Sequence, residues 1–134
     1  MAVKSEVLRV DTKGNSDILD ITLEVSQIVR DSGLTDGIAT VIILGSTAAI
    51  TTIENESRLL ADFKDTLEKA VPTHTHYRHP SNAFAHIRSA LFGTSFSVPF
   101  ADKALKLGTW QQIVLIDFDN RPRSREITVQ MVGE

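Results

Sequence analysis

The stretch that decides the fold lies near the C-terminus and reads Arg123-Ser124-Arg125-Glu126-Ile127-Thr128-Val129-Gln130-Met131-Val132. Its apolar residues alternate with polar ones, which is typical of a strand with one buried face. A turn signal at residues 119–122 precedes it, and residues 107–118 before that turn also predict a strand. We therefore expect a C-terminal antiparallel β-hairpin. A chain that mixes helices with strands and then ends in β-structure is typical of an α+β fold.

Four further strands are predicted upstream of this hairpin, at residues 4–11, 37–44, 48–53 and 94–99. The stretch at 37–44 is β-branched and nearly continuous, which indicates a strand covered on both faces. The length of 134 residues favours one domain, so we expect a single compact unit over residues 1–134. Its sheets are expected to be mostly antiparallel and packed with two to three helices.

Three helices are predicted from capping residues and apolar spacing. The first starts at Ser16 or Asp17 and stops at residue 33, the second covers residues 54–70, and the third covers residues 82–91. In the third helix the spacing predicts a buried stripe formed by Ala83, Ile87, Ala90 and Leu91.

Composition and charge limit the classes of function. The chain is 42% hydrophobic and 23% charged, has a formal net charge of -3 and contains no cysteine. Neutralising phosphates requires a basic face, so nucleic acid is not an expected partner. Without cysteine there is no disulfide or thiolate site, which fits a reducing cytoplasm. The N-terminus lacks the apolar segment of a signal peptide, and the longest apolar run is too short to span a membrane.

All four histidines lie between His74 and His86, which makes this stretch the best candidate for a functional site. Imidazole is the commonest metal ligand and can act as an acid or a base near neutral pH. Asn82 and His86 are four residues apart and share a helical face, so a loop that folds back would bring His79 beside them. No H-E-x-x-H motif accompanies them. The alternative is a surface loop with one partly buried, hydrogen-bonded histidine.

Two polar groups of residues are candidate ion sites. Ser46 and Thr47 follow a predicted buried strand, where hydroxyls and backbone N–H groups can hold an anion, although a tight turn explains the same pattern. Glu54 and Asn55 begin the second predicted helix, and Glu54 lies near the same helical face as Asp62. These oxygens suit a divalent cation, and the alternative is a solvated acidic helix start.

Arginines and the only tryptophan supply the remaining candidates. Arg121, Arg123 and Arg125 crowd the last turn, and guanidinium groups suit phosphate recognition, although charges at such a turn are often simply solvated. Trp110 lies beside Gln111, and we expect its ring in the core or at a subunit interface. Stacking of Trp110 on a substrate is the alternative.

Taken together, these motifs resemble the YjbQ-like family, also called the secondary thiamine-phosphate synthase family. The resemblance covers nearly the whole chain. The motifs that carry it are Ser46-Thr47-Ala48-Ala49-Ile50 with Glu54-Asn55, Tyr77-Arg78-His79 with Asn82 and Ala85-His86, Leu91-Phe92-Gly93-Thr94-Ser95, Leu107-Gly108-Thr109-Trp110-Gln111, and Arg121-Pro122-Arg123-Ser124-Arg125.

The resemblance implies a compact α+β domain that assembles as a homotrimer, with a histidine-lined pocket near a subunit boundary. It implies weak thiamine-phosphate synthase activity on small phosphorylated molecules, with a divalent metal, zinc or magnesium. Catalytic roles would fall on His79, His86, Asn82 and Asp62, with the two histidines as metal ligands. Substrate-binding roles would fall on Ser46, Thr47, Glu54, Asn55, Thr109, Trp110, Gln111, Arg123 and Arg125.

One position departs from the family pattern. Gly45 stands where the family usually has a histidine, so only His79 and His86 carry over as ligands. A catalytic zinc site usually keeps three protein ligands, and His74 or His76 is the alternative source of the third. Two functions therefore stay open: a weak thiamine-phosphate synthase, and a non-catalytic trimeric module that binds a metal or a small ligand.

Overall fold

The computed structural model describes residues 1–134, which form two antiparallel sheets and three helices. The strands are β1 Ala2–Thr12, β2 Asp17–Asp20, β3 Gly37–Ile43, β4 Ala48–Ile53, β5 Ser95–Ala101, β6 Ala104–Leu105, β7 Gln112–Asp117 and β8 Arg123–Gly133. The helices are α1 Thr22–Asp31, α2 Ser57–Ala70 and α3 Ala83–Phe92. The predicted α+β class with mostly antiparallel sheets is confirmed. No helix has the length and apolar character needed to cross a membrane.

The larger apolar core lies between the two sheets. One sheet has the strand order β1-β8-β3-β5-β6, and the other has the order β2-β7-β4. Alternate residues of a strand point to opposite faces, so Val41 of β3 and Val129 of β8 meet Ile50 of β4 and Leu115 of β7 in this core. Buried residues of α1, including Val25, complete it.

The smaller core lies on the other face of the three-stranded sheet, beneath α2 and α3. Val114 and Ile116 of β7 contact a cluster that includes Leu67 of α2 and Phe84 of α3. The strand β7 therefore contributes to both cores, and residues 113–119 are all buried. This strand is the fixed element from which the candidate site is built.

The first helix begins later than the sequence predicted. Residues 17–20 pair with residues 114–117 of β7 as the strand β2, and α1 starts at Thr22. Ser16 does not cap a helix, because its φ is 65° and its backbone N–H donates to the carbonyl oxygen of Asp117 at 2.8 Å. The positive φ of Gly33, 82°, agrees with its predicted place just after the helix.

The second helix starts at Ser57, three residues later than predicted. Glu56 is its N-cap, and its side chain accepts a hydrogen bond from the backbone N–H of Leu59 at 2.7 Å. Glu54 therefore precedes the helix, and the helical face that it was predicted to share with Asp62 does not exist.

Of the buried stripe predicted for α3, only Ala83 is buried, and the prediction is wrong for Ile87, Ala90 and Leu91. Ile87 is 40% exposed and Leu91 is 67% exposed, whereas Ala85 and Ser89 are buried. The reason is that α3 packs its Ala85–Ser89 side on β4, where the Ser89 hydroxyl donates to the carbonyl oxygen of Ala48 at 2.6 Å. The apolar residues on the other side of α3 are left facing outward.

Two strand predictions need correction. The strand β3 is not covered on both faces, because buried and less buried residues alternate along it and Ile38 is 54% exposed. The strand predicted at 107–118 is limited to residues 112–117, and the segment before it, which contains Trp110, is a loop.

The predicted turn at residues 119–122 does join β7 to β8, but the two strands enter different sheets. β7 pairs with β2 and β4, whereas β8 pairs with β1 and β3. The turn therefore crosses from one sheet to the other and places Asp119 where the two sheets meet.

Candidate functional site

The rings of His79 and His86 converge, as the spacing of the histidines predicted. His79 lies in the loop before α3 and His86 in the first turn of α3, and their ring centroids are 5.1 Å apart at an angle of 63°. They border an open cleft of about 480 Å³, here called the histidine cleft. Its lining consists of His76, Tyr77, Arg78, His79, Ala83, His86 and Ile87.

The histidine cleft is basic in character. Its lining contains three imidazoles and one guanidinium but no carboxylate. Arg78 is exposed and forms no ion pair within the chain. A cleft with free N–H donors and no competing acidic group is suited to an anion.

The segment between the two histidines is held by the turn that joins β7 to β8. The Asn82 side-chain amide donates to Oδ1 of Asp119 at 3.2 Å, and the Asn120 amide donates to Oγ of Ser81 at 3.2 Å. Ser81 has a φ of 73°, a left-handed conformation that costs a non-glycine residue energy and persists only where neighbours hold it. These contacts fix the backbone from which both histidines project.

Asp119 is the buried anchor of this arrangement. Its side chain is 1% exposed, and Oδ2 accepts hydrogen bonds from Nε of Arg123 at 2.9 Å and from Nη2 at 2.6 Å. Burial alone would raise the pKa of Asp119, but hydrogen bonds from Arg123, from the Asn120 N–H and from Asn82 outweigh it and lower the pKa to about 2. Asp119 is therefore a permanent anion at neutral pH.

A second buried carboxylate, Asp117, extends the network into the core. Arg125 donates from Nε to Oδ2 at 2.8 Å and from Nη2 to Oδ1 at 2.9 Å, and the Thr12 hydroxyl donates to Oδ2 at 2.6 Å. Burial raises the pKa of Asp117, and the hydrogen bonds from Arg125 and Thr12 more than reverse that effect. Thr47 joins the two acids, since its hydroxyl accepts from Arg125 at 2.7 Å and donates to Asp119 at 3.3 Å.

The sequence patterns did not identify Asp117 and Asp119, because they predicted only the end of a strand and a turn at these positions. A signal for the two acids did exist. Two carboxylates two apart follow a continuous apolar run, and a buried carboxylate requires a partner. Arg123 and Arg125, also two apart, supply those partners across the turn. These two arginines were predicted to bind phosphate. Their guanidinium groups are instead bound to aspartates of the same chain, which argues against that role.

The side of His86 that faces Gly45 supplies no third ligand. Gly45, Ser46 and His86 border a second cleft of about 350 Å³, in which Gly45 has a φ of 149° that favours glycine. A Cβ atom at Gly45 would lie 3.1 Å from Nη1 of Arg125. No group of three or more histidine, cysteine, aspartate or glutamate side chains is arranged to hold a metal ion. The side chains present therefore do not fit a catalytic zinc site.

Another group of predicted residues lies elsewhere, in a separate groove of about 300 Å³ that we call the tryptophan groove. Its lining consists of Asp20, Glu54, Asn55, Glu56, Thr109, Trp110 and Gln112. Trp110 is 71% exposed, so it does not lie in the core of its own chain, and its place at a subunit interface stays a prediction. Gln111 is next to the groove, where its amide donates to the Thr52 hydroxyl at 3.3 Å. Asp62 is exposed on α2 and lines neither the groove nor the histidine cleft.

The predicted site residues are thus divided between the two ends of β7. Asn82 lies beside the C-terminal end of the strand, where it binds Asp119, whereas Thr109 and Trp110 precede the N-terminal end. A strand of this length spans about 17 Å, at about 3.4 Å per residue. Within one chain the two groups of residues form two sites.

Comparison with known proteins identifies the family. The model of a family described as UPF0047 protein YjbQ-like matches residues 6–134. The chain belongs to the YjbQ-like family. The resemblance carried by the histidine, tryptophan and arginine motifs is therefore confirmed.

Relatives of this YjbQ-like chain come from archaea and bacteria. A UPF0047 protein from Methanothermobacter thermautotrophicus is 39% identical, with 100% of this chain and 95% of the relative covered. A YbjQ-like protein of unknown function from Sulfolobus solfataricus has a solved structure with a TM-score of 0.95, 32% identity and 99% of each chain covered. A member from Clostridium acetobutylicum has a TM-score of 0.89 and 32% identity over 95% of this chain and 99% of that one.

Proposed function

We propose that the histidine cleft binds the phosphate or diphosphate group of a small phosphorylated molecule. The observation that carries this proposal is the convergence of His79 and His86 at 5.1 Å in a cleft without carboxylates. Arg78 adds a guanidinium group that no carboxylate of the chain neutralises, and guanidinium groups pair well with phosphate oxygens. The arginines that the sequence favoured for this task, Arg123 and Arg125, instead stabilise the backbone behind the cleft.

The reaction that the resemblance implies is a slow synthesis of thiamine phosphate. In that reaction the thiazole nitrogen forms a bond to the pyrimidine methylene carbon while the carbon–oxygen bond to the diphosphate breaks. The diphosphate leaves with the electron pair of the broken bond. A protonated imidazole of His79 or His86 can donate a hydrogen bond or a proton to the departing oxygen, which is the kind of general-acid help that imidazole provides.

A magnesium ion held by the predicted carboxylates does not fit this site. Glu54 borders the tryptophan groove and Asp62 is exposed on α2, so neither oxygen ligand lies in the lining of the histidine cleft. We therefore assign leaving-group stabilisation to the imidazole and guanidinium donors alone. With so few donors, only weak catalysis is expected.

The proposal can be tested by comparing histidines inside and outside the cleft. Calorimetry with pyrophosphate should give a saturable signal for the wild type that His79→Ala and His86→Ala each weaken at least tenfold. His74→Ala is the matched control, because His74 is exposed and does not line the cleft. A steady-state assay with both thiamine precursors should give slow product formation that His86→Ala abolishes. Equal binding by all three variants would contradict the proposal.

A non-catalytic, ligand-binding module is the second candidate. It is favoured by the missing third ligand beside Gly45 and by the neutralisation of Arg123 and Arg125. A ligand that binds only the native state raises the melting temperature even without turnover. A thermal shift with pyrophosphate or zinc, together with no product in the assay, would select this candidate over the synthase.

We also propose that the chain assembles as a homotrimer, as the resemblance implies. The support within the chain is an exposed apolar row on the five-stranded sheet, where Val3 and Ile38 both pair with Val132 and are 64% and 54% exposed. Large exposed apolar side chains that lie close together often mark contact surfaces between proteins.

A further inference from the structure

The cleft of about 350 Å³ beside Gly45, here called the glycine cleft, shares His86 with the histidine cleft. Its other lining residues are small or carry hydroxyl groups, and Ser46, Ala90 and Thr94 are among them. Apart from His86, none of the lining residues is ionisable. Phosphate binding by His79 and His86 leaves this cleft without a role.

A buried guanidinium group ends at the glycine cleft. The side chain of Arg125 is only 9% exposed, and its Nε and Nη2 atoms donate to Asp117 and Thr47 at 2.7–2.9 Å. The third nitrogen, Nη1, carries two N–H donors that form no hydrogen bond within the chain. No buried side-chain nitrogen or oxygen of the molecule lacks a partner, so Nη1 is in contact with open space.

Gly45 determines where that open space lies. A Cβ atom at this position would lie 3.1 Å from Nη1 of Arg125, and apart from the adjacent residues no other atom would come within 4 Å of it. The φ of 149° at Gly45 also disfavours any residue other than glycine. A side chain at position 45 would therefore cover the two donors, and glycine leaves them open to a ligand.

The charge of Arg125 is balanced within the chain. Both carboxylate oxygens of Asp117 accept hydrogen bonds from it, and Arg123 and Asp119 form a second neutral pair in the same network. An anion placed at Nη1 would lose its hydration and gain little attraction from pairs that are already neutral. An uncharged oxygen acceptor, a hydroxyl or a carbonyl, satisfies the same donors at a lower desolvation cost.

His86 connects this donor to the proposed phosphate site. Its ring lies 5.1 Å from that of His79 in the histidine cleft, and the same residue lines the glycine cleft. A molecule whose phosphate binds to the two imidazoles therefore has the glycine cleft beside it, and its remaining atoms can extend past His86 towards Nη1 of Arg125. The hydroxyls of Ser46 and Thr94 border the same cleft and can bind further oxygen atoms of the ligand.

We propose that the glycine cleft binds an uncharged oxygen acceptor, a hydroxyl or a carbonyl group, of the same molecule whose phosphate the histidine cleft binds. Nη1 of Arg125 donates to this oxygen, and Gly45 is the specificity-determining residue, because its lack of a side chain leaves Nη1 open. This inference rests on the proposed function and extends it from a phosphate group to a phosphate ester with a polar organic part. Pyrophosphate and simple alkyl phosphates then occupy the histidine cleft alone.

Matched pairs of small phosphate esters test this proposal in the full chain. Hydroxyalkyl monophosphates with two, three and four carbons are compared by calorimetry with the alkyl monophosphates of the same length, and pyrophosphate is the reference ligand. We expect at least one hydroxyalkyl phosphate to bind about tenfold more tightly than its alkyl partner, the gain expected from one hydrogen bond to a charged donor. A carboxylate in place of the hydroxyl should lose this gain.

A variant that fills the glycine cleft shows where the gain arises. Ala90→Leu adds apolar atoms to the cleft from an exposed position of α3 and leaves Gly45 and Arg125 in place. We expect this variant to bind each hydroxyalkyl phosphate no more tightly than its alkyl partner. Ala61→Leu is the matched control, because Ala61 is an exposed alanine of α2 that lines neither cleft, and it should keep the preference for the hydroxyl.

The outcomes separate this inference from the proposed function. If the wild type binds pyrophosphate but binds every hydroxyalkyl phosphate as its alkyl partner, the acceptor site in the glycine cleft is overturned and the phosphate site stands. A preference for the hydroxyl that survives Ala90→Leu, or tighter binding of the carboxylate than of the hydroxyl, would also overturn the acceptor site. If neither pyrophosphate nor any of the esters binds, the phosphate site itself is overturned, and the acceptor site with it.

Discussion

The two ends of β7 differ in how their polar side chains are held. At the C-terminal end, Asp117 and Asp119 are buried, and each is bound by an arginine and by further donors. At the N-terminal end, Trp110 is exposed and Glu54 is half-buried, and both border the open tryptophan groove. The first end fixes the position of neighbouring residues, and the second leaves its side chains open to solvent. Substitutions should therefore affect folding strongly at the first end and only slightly at the second.

The largest expected effect on stability comes from Asp117. Asp117→Ala leaves Arg125 as a buried charge without its main partner, because Arg125 is only 8% exposed. Removing one partner of a buried ion pair costs about 3–5 kcal/mol. Urea denaturation followed by circular dichroism would measure this loss. A loss of unfolding free energy below about 1 kcal/mol would contradict the account. It would mean that the polar side chains at the C-terminal end of β7 are held no more firmly than those at its N-terminal end.

The second effect is a pH dependence that Asp119 confers on stability. The pKa of Asp119 falls from an ordinary value of 3.8 to about 2 in the folded chain, so the folded state favours the charged form. The resulting stability, up to about 2 kcal/mol, is fully present above pH 4 or so and is lost as the pH falls towards 2. Asp119→Asn removes this dependence while keeping the shape of the side chain.

The measurement is the free energy of unfolding of the wild type and of Asp119→Asn between about pH 5 and pH 2. The difference between the two proteins should shrink as the pH falls, because the wild-type carboxylate becomes protonated. A difference that stays constant over this range would contradict the role of the Asp119 charge.

A smaller effect is expected at Asn82, which links the histidine cleft to Asp119. Asn82→Ala removes one hydrogen bond, of 3.2 Å, and should cost about 1 kcal/mol of stability. Asn82→Ala should also weaken pyrophosphate binding. The loss of binding free energy should exceed the loss of stability, because the backbone that carries His79 and His86 is then held by fewer hydrogen bonds. Ser57→Ala, an exposed polar-to-alanine change at the start of α2, is a control that should leave binding unchanged. Unaltered pyrophosphate binding by Asn82→Ala would show that the hydrogen bond to Asp119 does not support the histidine cleft.

The smallest effect on folding is expected at Trp110. Because its ring is 71% exposed, Trp110→Ala should change the free energy of unfolding of the dissociated chain by less than about 0.5 kcal/mol. The measurement is urea denaturation at concentrations where the protein is monomeric. A larger loss would show that Trp110 supports the fold of its own chain.

Most of the helices and strands could be predicted because the sequence patterns that form them depend on neighbouring residues alone. The alternation of Ile127, Val129 and Met131 predicted β8, and the apolar stretch after Gly37 predicted β3, since period-two patterns are set by the strand itself. The pairing of those strands depends on distant residues. The turn at 119–122 was correctly located, yet local sequence cannot show that β7 and β8 enter different sheets.

Parts of the site were predictable for the same reason, and parts were not. The four-residue spacing of Asn82 and His86 placed them on one turn of a helix and so brought His79 close. The role of Asp119 depends on Arg123, on Asn82 and on a turn between two sheets, none of which a local pattern describes. The stripe of Ile87 and Leu91 was misassigned because helical spacing indicates that an apolar face exists and does not indicate what covers it.

The most direct test of the central claim is a titration of the histidine ring signals by nuclear magnetic resonance with pyrophosphate, assigned with the single histidine-to-alanine variants. The account predicts that the His79 and His86 signals shift together and saturate at one common dissociation constant, while the His74 signal stays in place. Equal, non-saturating shifts of all four histidines, or no shift of His79 and His86, would contradict it.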